Sequence, residues 1–136
     1  MKTAVVIGAT GNLGSAIVDA LQKAGYEVDK IWRDKNHPDA TLASSYENLP
    51  KKIDIAVYAA GINVVKPIHE LTEEEWDKVM NVNVRGAFLF ARAAFPGLKI
   101  AKGVFVTISS MNAIIPYPNR APYATSKAAL EGLTRE

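Results

Sequence analysis

Apolar residues follow two patterns along the chain. Residues 3–7, 53–59 and 103–109 are continuously apolar and rich in Val and Ile. Strands covered on both faces read this way, because neither face needs polar residues. Residues 26–32 read as a further, weaker strand, second along the chain. Between the runs, apolar residues recur at helical spacing. Leu13, Ile17, Val18 and Leu21 share one helix face, and Gly25 stands where such a helix stops. Thr72 with Glu75 three residues on spells a capping box, so a helix starts there. Residues 81–95 predict a long apolar helix ended by Pro96 and Gly97, and residues 122–134 a last one.

Strands alternating with helices predict a parallel sheet with helices on both faces. Residues 34–49 are polar and irregular, and short for a helix-and-strand unit. The last pattern is still helical at Leu133 and Thr134, and no Gly, Asn or Pro follows. The expectation is a single domain over residues 1–136 that is cut short or completed by another chain. The strand at 104–108 would then be left as a sheet edge.

Composition narrows the function classes. The 136 residues carry a net charge of +2 and are 49% apolar, enough for one core. No basic stripe points to nucleic acid. No window is long enough to span a membrane, and the apolar run after Met1-Lys2 is too short for a secretion signal. With no cysteine there is no disulfide framework or thiolate metal site, and His37 and His69 are isolated from each other. The expectation is a cytoplasmic protein with no metal, nucleic-acid or membrane partner.

Four features carry chemistry. Gly8, Gly11 and Gly14 lie between a strand and a helix, where small residues let a pyrophosphate approach free N–H groups. Their spacing is G-x-x-G-x-x-G, not G-x-G-x-x-G, so a purely steric glycine turn is the alternative. Tyr123 and Lys127 are four apart in a predicted helix and share a face. A nearby ammonium favours phenolate and suits the tyrosine to proton transfer. Tyr26 and Lys30 match the same Y-x-x-x-K pattern in a predicted strand, where the side chains would not meet in this way. Ser109 and Ser110 close a strand at the end that borders the ligand crevice in open α/β sheets. Asn81 and Asn83 open an apolar helix, where an amide usually satisfies backbone or water.

The order glycine loop, Asn83, Ser110, Tyr123, Lys127 resembles the short-chain dehydrogenase/reductase family. So do "WDKVMNVNVRGAFLF" and "GVFVTISSMNAIIPYPNRAPYATSKAALEGLTRE", and the step of thirteen from Ser110 to Tyr123. The resemblance covers the chain but only the first half to two thirds of a usual family domain. It implies a Rossmann-like doubly wound parallel sheet in three α/β/α layers, lacking the last family strands. It implies an oxidoreductase that moves hydride between a nicotinamide and a carbonyl or secondary alcohol. Tyr123 would be the general acid or base. Lys127 would bind the nicotinamide ribose and lower the tyrosine's pKa. Ser110 would orient the substrate oxygen, and Asn83 would hold a water in a relay to Lys127. The cofactor would rest on Gly8, Thr10, Gly11, Asn12, Leu13 and Gly14, on Trp32 and Arg33, on Ala60 and Gly61, and on Tyr123 and Lys127.

Departures from the family pattern matter too. Tyr58-Ala59-Ala60-Gly61 stands where short members carry Asn-Asn-Ala-Gly, so a sheet-supporting asparagine is missing. No clear aspartate is left for the adenine ring; Ser44 or Ser45 stands nearby. Trp32 falls at the end of the second strand with Arg33 next, and Arg33 suits a 2′-phosphate. Asp34 would instead suit the NAD ribose if it took that place. NADP is expected, with NAD as the alternative. Surplus apolar surface on the helices at 83–95 and 122–134 predicts a homodimer or homotetramer. The rival to an enzyme is a truncated, non-catalytic module for nucleotide binding or oligomerisation.

Overall fold

All four runs are strands. The computed structural model describes residues 1–31, 39–115 and 117–136. Strand β1 (Lys2–Ile7) starts one residue before its run, and β2 (Tyr26–Ile31), β3 (Ile55–Tyr58) and β4 (Val104–Thr107) are shorter than theirs. They form one parallel sheet in the order β2-β1-β3-β4. Ala4 sits level with Val28 on one side and Ile55 on the other, and Val57 with Val106. The parallel order and the cores on both faces of the sheet make the fold Rossmann-like.

Alternation along β1 sorts its side chains into two cores. Val6 packs with Val57 of β3 and Val18 of helix α1 (Asn12–Lys23). Val5 and Ile7 face the other way, into the larger core. The long helix α3 (Gly86–Ala101) fills that core with Phe90 and Ala94, and helix α4 (Ala121–Arg135) adds Leu130. Tyr46, Tyr58 and Phe105 surround Phe90, with ring centroids 5.5, 6.3 and 5.7 Å away. Ala4 to Ile7 are buried, which explains their unbroken apolar run.

The helix predicted for residues 81–95 needs correction at both ends. It continues helix α2 (Glu73–Met80) through a π turn, Asn81–Arg85, and it runs past Pro96 to Ala101. The capping box at the start of α2 forms as read, with Thr72 Oγ1 accepting from Glu75 N at 3.1 Å. Pro96 forfeits one intrahelical hydrogen bond, but packing outweighs that loss. Gly97 lies so close to Ile53 that a Cβ would sit 2.9 Å from its Cγ1, and Ile53 N donates to Gly97 O. Gly97 is therefore a contact point, not a stop. The stop is Lys102, at φ 52°, followed by Gly103, whose N–H returns to Leu98 O at 2.9 Å.

In the described part of the polar stretch, a short 3-10 turn (Ala43–Tyr46) connects toward β3. Tyr46 is buried there and donates its hydroxyl to Ala40 O at 2.7 Å. At the far side of the sheet, β4 is an edge strand, with Val104 and Val106 exposed on one face. No described helix is long and apolar enough to cross a membrane.

Candidate functional site

The chain leaves β1 at the centre of the sheet, with β2 on one side and β3 on the other. Ligands of open α/β sheets bind at such a switch point, outside the carboxyl ends of the strands. Gly8 stands there because the site has no room for a side chain. Its φ is 81°, and a Cβ would lie 2.6 Å from Ala60 N. Gly8 N donates to Ile31 O at 2.8 Å, tying the loop to the end of β2. Gly14 lies beneath the same turn, where a Cβ would be 2.0 Å from Gly8 O. This is close strand-to-helix packing and needs glycine. Gly11 is the N-cap of α1; it offers no side-chain cap, and the first turn holds no acidic residue. The first amides of α1 are thus left for an anion, at the positive end of the helix dipole.

A hollow of about 230 Å³ opens beside this loop, lined by Gly8, Thr10, Gly11, Ala60, Asp39 and Val82, among others. Ala59, Gly61 and Ile62 line it and also a second, wider cleft of about 560 Å³. That cleft holds Ser110, Tyr123 and Lys127. The two spaces therefore form one groove across the strand ends.

α4 is fixed to β4 by polar contacts one turn apart. Lys127 Nζ donates to Ile108 O at 2.6 Å, Ser109 Oγ donates to Glu131, and Thr107 and Thr134 share a hydroxyl contact of 2.7 Å. This register turns Tyr123 and Lys127 toward the end of β4, and Lys127 Nζ lies 5.6 Å from the Tyr123 ring centroid. Lys127 is only 5% exposed, and burial pushes its pKa below the usual lysine range. Ser110 Oγ accepts from Asn112 N at 3.2 Å, which leaves its O–H to donate into the cleft.

Asn83 is fully buried in the π turn. Its Oδ1 accepts from Ile62 N at 2.8 Å, and its Nδ2 donates to Ile62 O and to Ser126 Oγ, both at 2.9 Å. Ser126 Oγ in turn donates to Tyr123 O. Asn83 thus ties the loop after β3 to the first turns of α4. This is the backbone-satisfying role open to a core amide, and both N–H donors are spent on it. One Oδ1 lone pair remains for a water. A Cβ on Gly61 would lie 3.5 Å from Lys127 Nζ and 3.6 Å from Asn83 Oδ1, so both atoms border the same spot.

This groove can be set beside known proteins. The family model for short chain dehydrogenase matches residues 32–136. The chain belongs to that family. It is 32% identical over 136 residues to the 3beta-hydroxysteroid dehydrogenase of Mediterraneibacter gnavus, which covers 98% of this chain and 49% of that one. A putative NAD(P) dependent gluconate 5-dehydrogenase from Beutenbergia cavernae, with bound NADP, superposes with a TM-score of 0.91 at 30% identity. The match covers 98% of this chain and 64% of that one. The 4-hydroxyisoleucine dehydrogenase complexed with NADH gives a TM-score of 0.88 at 27% identity, covering 99% and 67%. The chain spans about half the length of the curated relatives it matches.

Of the residues singled out from sequence, Gly8, Thr10, Gly11, Ala60 and Gly61 line the loop-side hollow. Asn12, Leu13 and Gly14 form the first turn of α1. Trp32 and Arg33 lie outside the described residues, as do Asp34 and His37. Ser44 and Ser45 sit in the 3-10 turn and do not line the hollow, whereas Asp39 does. Its carboxylate accepts from Thr41 N and Thr41 Oγ1, both at 2.8 Å. Nothing in the spacing of Asp39 marks it in the sequence; only the folded chain shows it at the hollow. Tyr58 is the other omission. It is buried, burial holds its phenol protonated well above the usual range, and it donates to Val82 O in the π turn. Gly86 makes the room, since a Cβ there would lie 2.1 Å from the Tyr58 hydroxyl. The tyrosine that replaces an expected asparagine therefore supports the turn that carries Asn83.

Proposed function

We propose that this chain carries the nucleotide-binding and proton-transfer groups of an NAD(P)-dependent oxidoreductase acting on a carbonyl compound or secondary alcohol. The observation behind this reading is the single groove that runs from the glycine loop to Tyr123, with Lys127 and Asn83 meeting at Gly61. The glycine loop and the uncapped start of α1 fit a pyrophosphate, and Lys127 fits the ribose hydroxyls next to it. A bound nicotinamide supplies or takes up the hydride.

Tyr123 donates its phenolic proton to the substrate oxygen in reduction and takes it back in oxidation. The Ser110 hydroxyl donates to the same oxygen and orients it. Lys127 keeps positive charge beside the phenol, which favours phenolate. The free Oδ1 lone pair of Asn83 holds a water that passes the proton on toward Lys127. Tyr123→Phe should abolish NADPH-dependent ketone reduction and leave NADPH binding nearly intact. Full activity in that variant would overturn the assignment.

NADP is the preferred cofactor because Arg33 follows the second strand in sequence and suits a 2′-phosphate. Dissociation constants for NADP and NAD decide this, and tighter NAD binding would reverse it. Phe88, Phe95 and Ile100 of α3 are exposed, which supports a homodimer or homotetramer. Light scattering at micromolar concentration tests this, and a monomer would count against it.

A second reading, a nucleotide-binding or oligomerisation module without turnover, rests on the exposed Val104 and Val106 face of β4. It gains if the chain binds NADPH yet reduces no compound in a broad carbonyl panel.

A further inference from the structure

One charged group in the cleft has no part in that reaction. Arg120 is the N-cap residue of α4, three positions before Tyr123, so the two side chains leave neighbouring positions at the start of one helix. Its approach is held in place. Asn119 adopts a left-handed φ of 61°, and its carbonyl accepts from Lys66 N at 2.9 Å. The guanidinium carbon lies 4.9 Å from the Tyr117 ring centroid, and both residues line the cleft. Arg120 Nε is buried, yet it has no hydrogen-bond partner. Among the described residues, none accepts from the rest of the group or pairs with its charge.

A buried donor without an acceptor is rare in native proteins and calls for a reason. Guanidinium stays charged at any working pH and presents its N–H groups as a fork that fits two anionic oxygens. The surrounding wall points the same way. Lys127 is the other cation of the cleft, its ammonium already bonded to Ile108 O, and none of the described lining residues is acidic. Stacking on Tyr117 occupies the face of the guanidinium, so recognition falls to its edge. Tyr117 is largely exposed at the rim and is the side chain that must yield for an anion to reach Nε.

We propose that Arg120 binds an anionic oxygen group, carboxylate or phosphate, carried by the substrate. The cleft then selects keto acids, and the corresponding hydroxy acids, over neutral ketones and alcohols. This rests on the reading of Tyr123 as the group that meets the substrate oxygen. The anion sits on Arg120 while the carbonyl reaches Tyr123 one helical turn away.

The test is the Nε–H resonance of Arg120 in the full chain, assigned by its loss in Arg120→Lys. It is followed during titration with levulinate, with methyl levulinate and with inorganic phosphate. The expected result is a saturable shift with levulinate that is at least about tenfold weaker with the ester, a difference of about 1.4 kcal/mol. A tighter response to phosphate also supports the proposal and assigns the group as phosphate. Equal responses to acid and ester, or no response to any of the three, overturn it. NADPH binding is measured on the same samples. If it persists while the anion response fails, the dehydrogenase reading stands and only the role of Arg120 falls. If NADPH binding fails while the anion response persists, the dehydrogenase reading falls, and with it the substrate role of Arg120, which is then an anion site alone.

Discussion

Tyr26 with Lys30 and Tyr123 with Lys127 share one pattern, Y-x-x-x-K, in two settings. In β2, four residues of extended chain put Tyr26 and Lys30 about 13 Å apart along the strand. Tyr26 instead meets Lys2, its neighbour across the pairing with β1, at 5.6 Å. In α4, four residues make about one turn, and Lys127 comes to 5.6 Å from its own tyrosine. A lysine over a tyrosine ring is therefore present in both regions, at the same distance. The difference lies in what surrounds it. Lys2 is exposed, while Lys127 is buried, bonded to Ile108 O and open to a cleft that also holds Ser110. The pattern faces a cleft only where a helix brings its ends together and burial removes the water.

The strongest way to break the comparison is to take the hydroxyl from each tyrosine in turn. Tyr123→Phe should lower carbonyl reduction by about 10²–10⁴-fold, the usual worth of a positioned general acid. Tyr26→Phe should change it less than about twofold, since that side chain lies away from the groove. Steady-state rates for both variants settle the matter. Similar losses would mean that the tyrosines act through stability and not through chemistry.

The next test removes the support that the second pair has and the first lacks. Asn83→Ala would leave the N–H and C=O of Ile62 and the Ser126 hydroxyl short of a partner. Each stranded buried group costs about 1–3 kcal/mol, and because the losses are not additive the expected total is about 3 kcal/mol. Lys30→Ala, on the exposed strand, should stay within about 0.5 kcal/mol of the parent. Denaturant titration of the two variants reads both. An Asn83→Ala chain as stable as its parent would show that the clamp between the β3 loop and α4 holds nothing.

The same contrast explains what the residue pattern could and could not reveal. The sheet was legible because Ala4 to Ile7 of β1 and the residues of β3 pack into cores on both faces and form runs without a charged residue. β4 reads the same way, yet Val104 and Val106 lie open, so an apolar run announces a strand and not its covering. Gly8, Ser110, Tyr123 and Lys127 were legible through their order and their places at element ends. Pro96 and Gly97 misled, because the helix survives them through a contact with Ile53, far away in sequence. Tyr58 showed only as a departure from the family pattern, and Ser126, Asp39 and Arg120 gave no signal, for the same reason. Each acts on a group brought near only by folding: Val82 O, Asn83, the hollow beside the glycine loop and the wall of the cleft.

The smallest effect is the one that isolates burial itself. Desolvation holds the Lys127 pKa below its unfolded value, so the folded chain gives up this proton at a lower pH than the unfolded chain does. Below the folded pKa both states are charged, and the folded state bears the whole cost of a buried ammonium. Between the folded and unfolded values the unfolded chain binds more protons, so stability rises with pH. Above the unfolded value that cost is gone. Lys127→Met removes the charge at every pH, and its stability advantage over the parent should shrink as the pH rises toward the onset of tyrosine ionisation. The comparison must stop there. Tyr46 and Tyr58 are buried phenols with raised pKa values, so the unfolded chain ionises them first and stability falls above about pH 10. Thermal melts of parent and variant across that window measure the difference directly. A gap that stays constant would mean that the carbonyl of Ile108 and the face of the Tyr123 ring fully replace the lost water, and that burial alone does not set this lysine apart from the exposed one in β2.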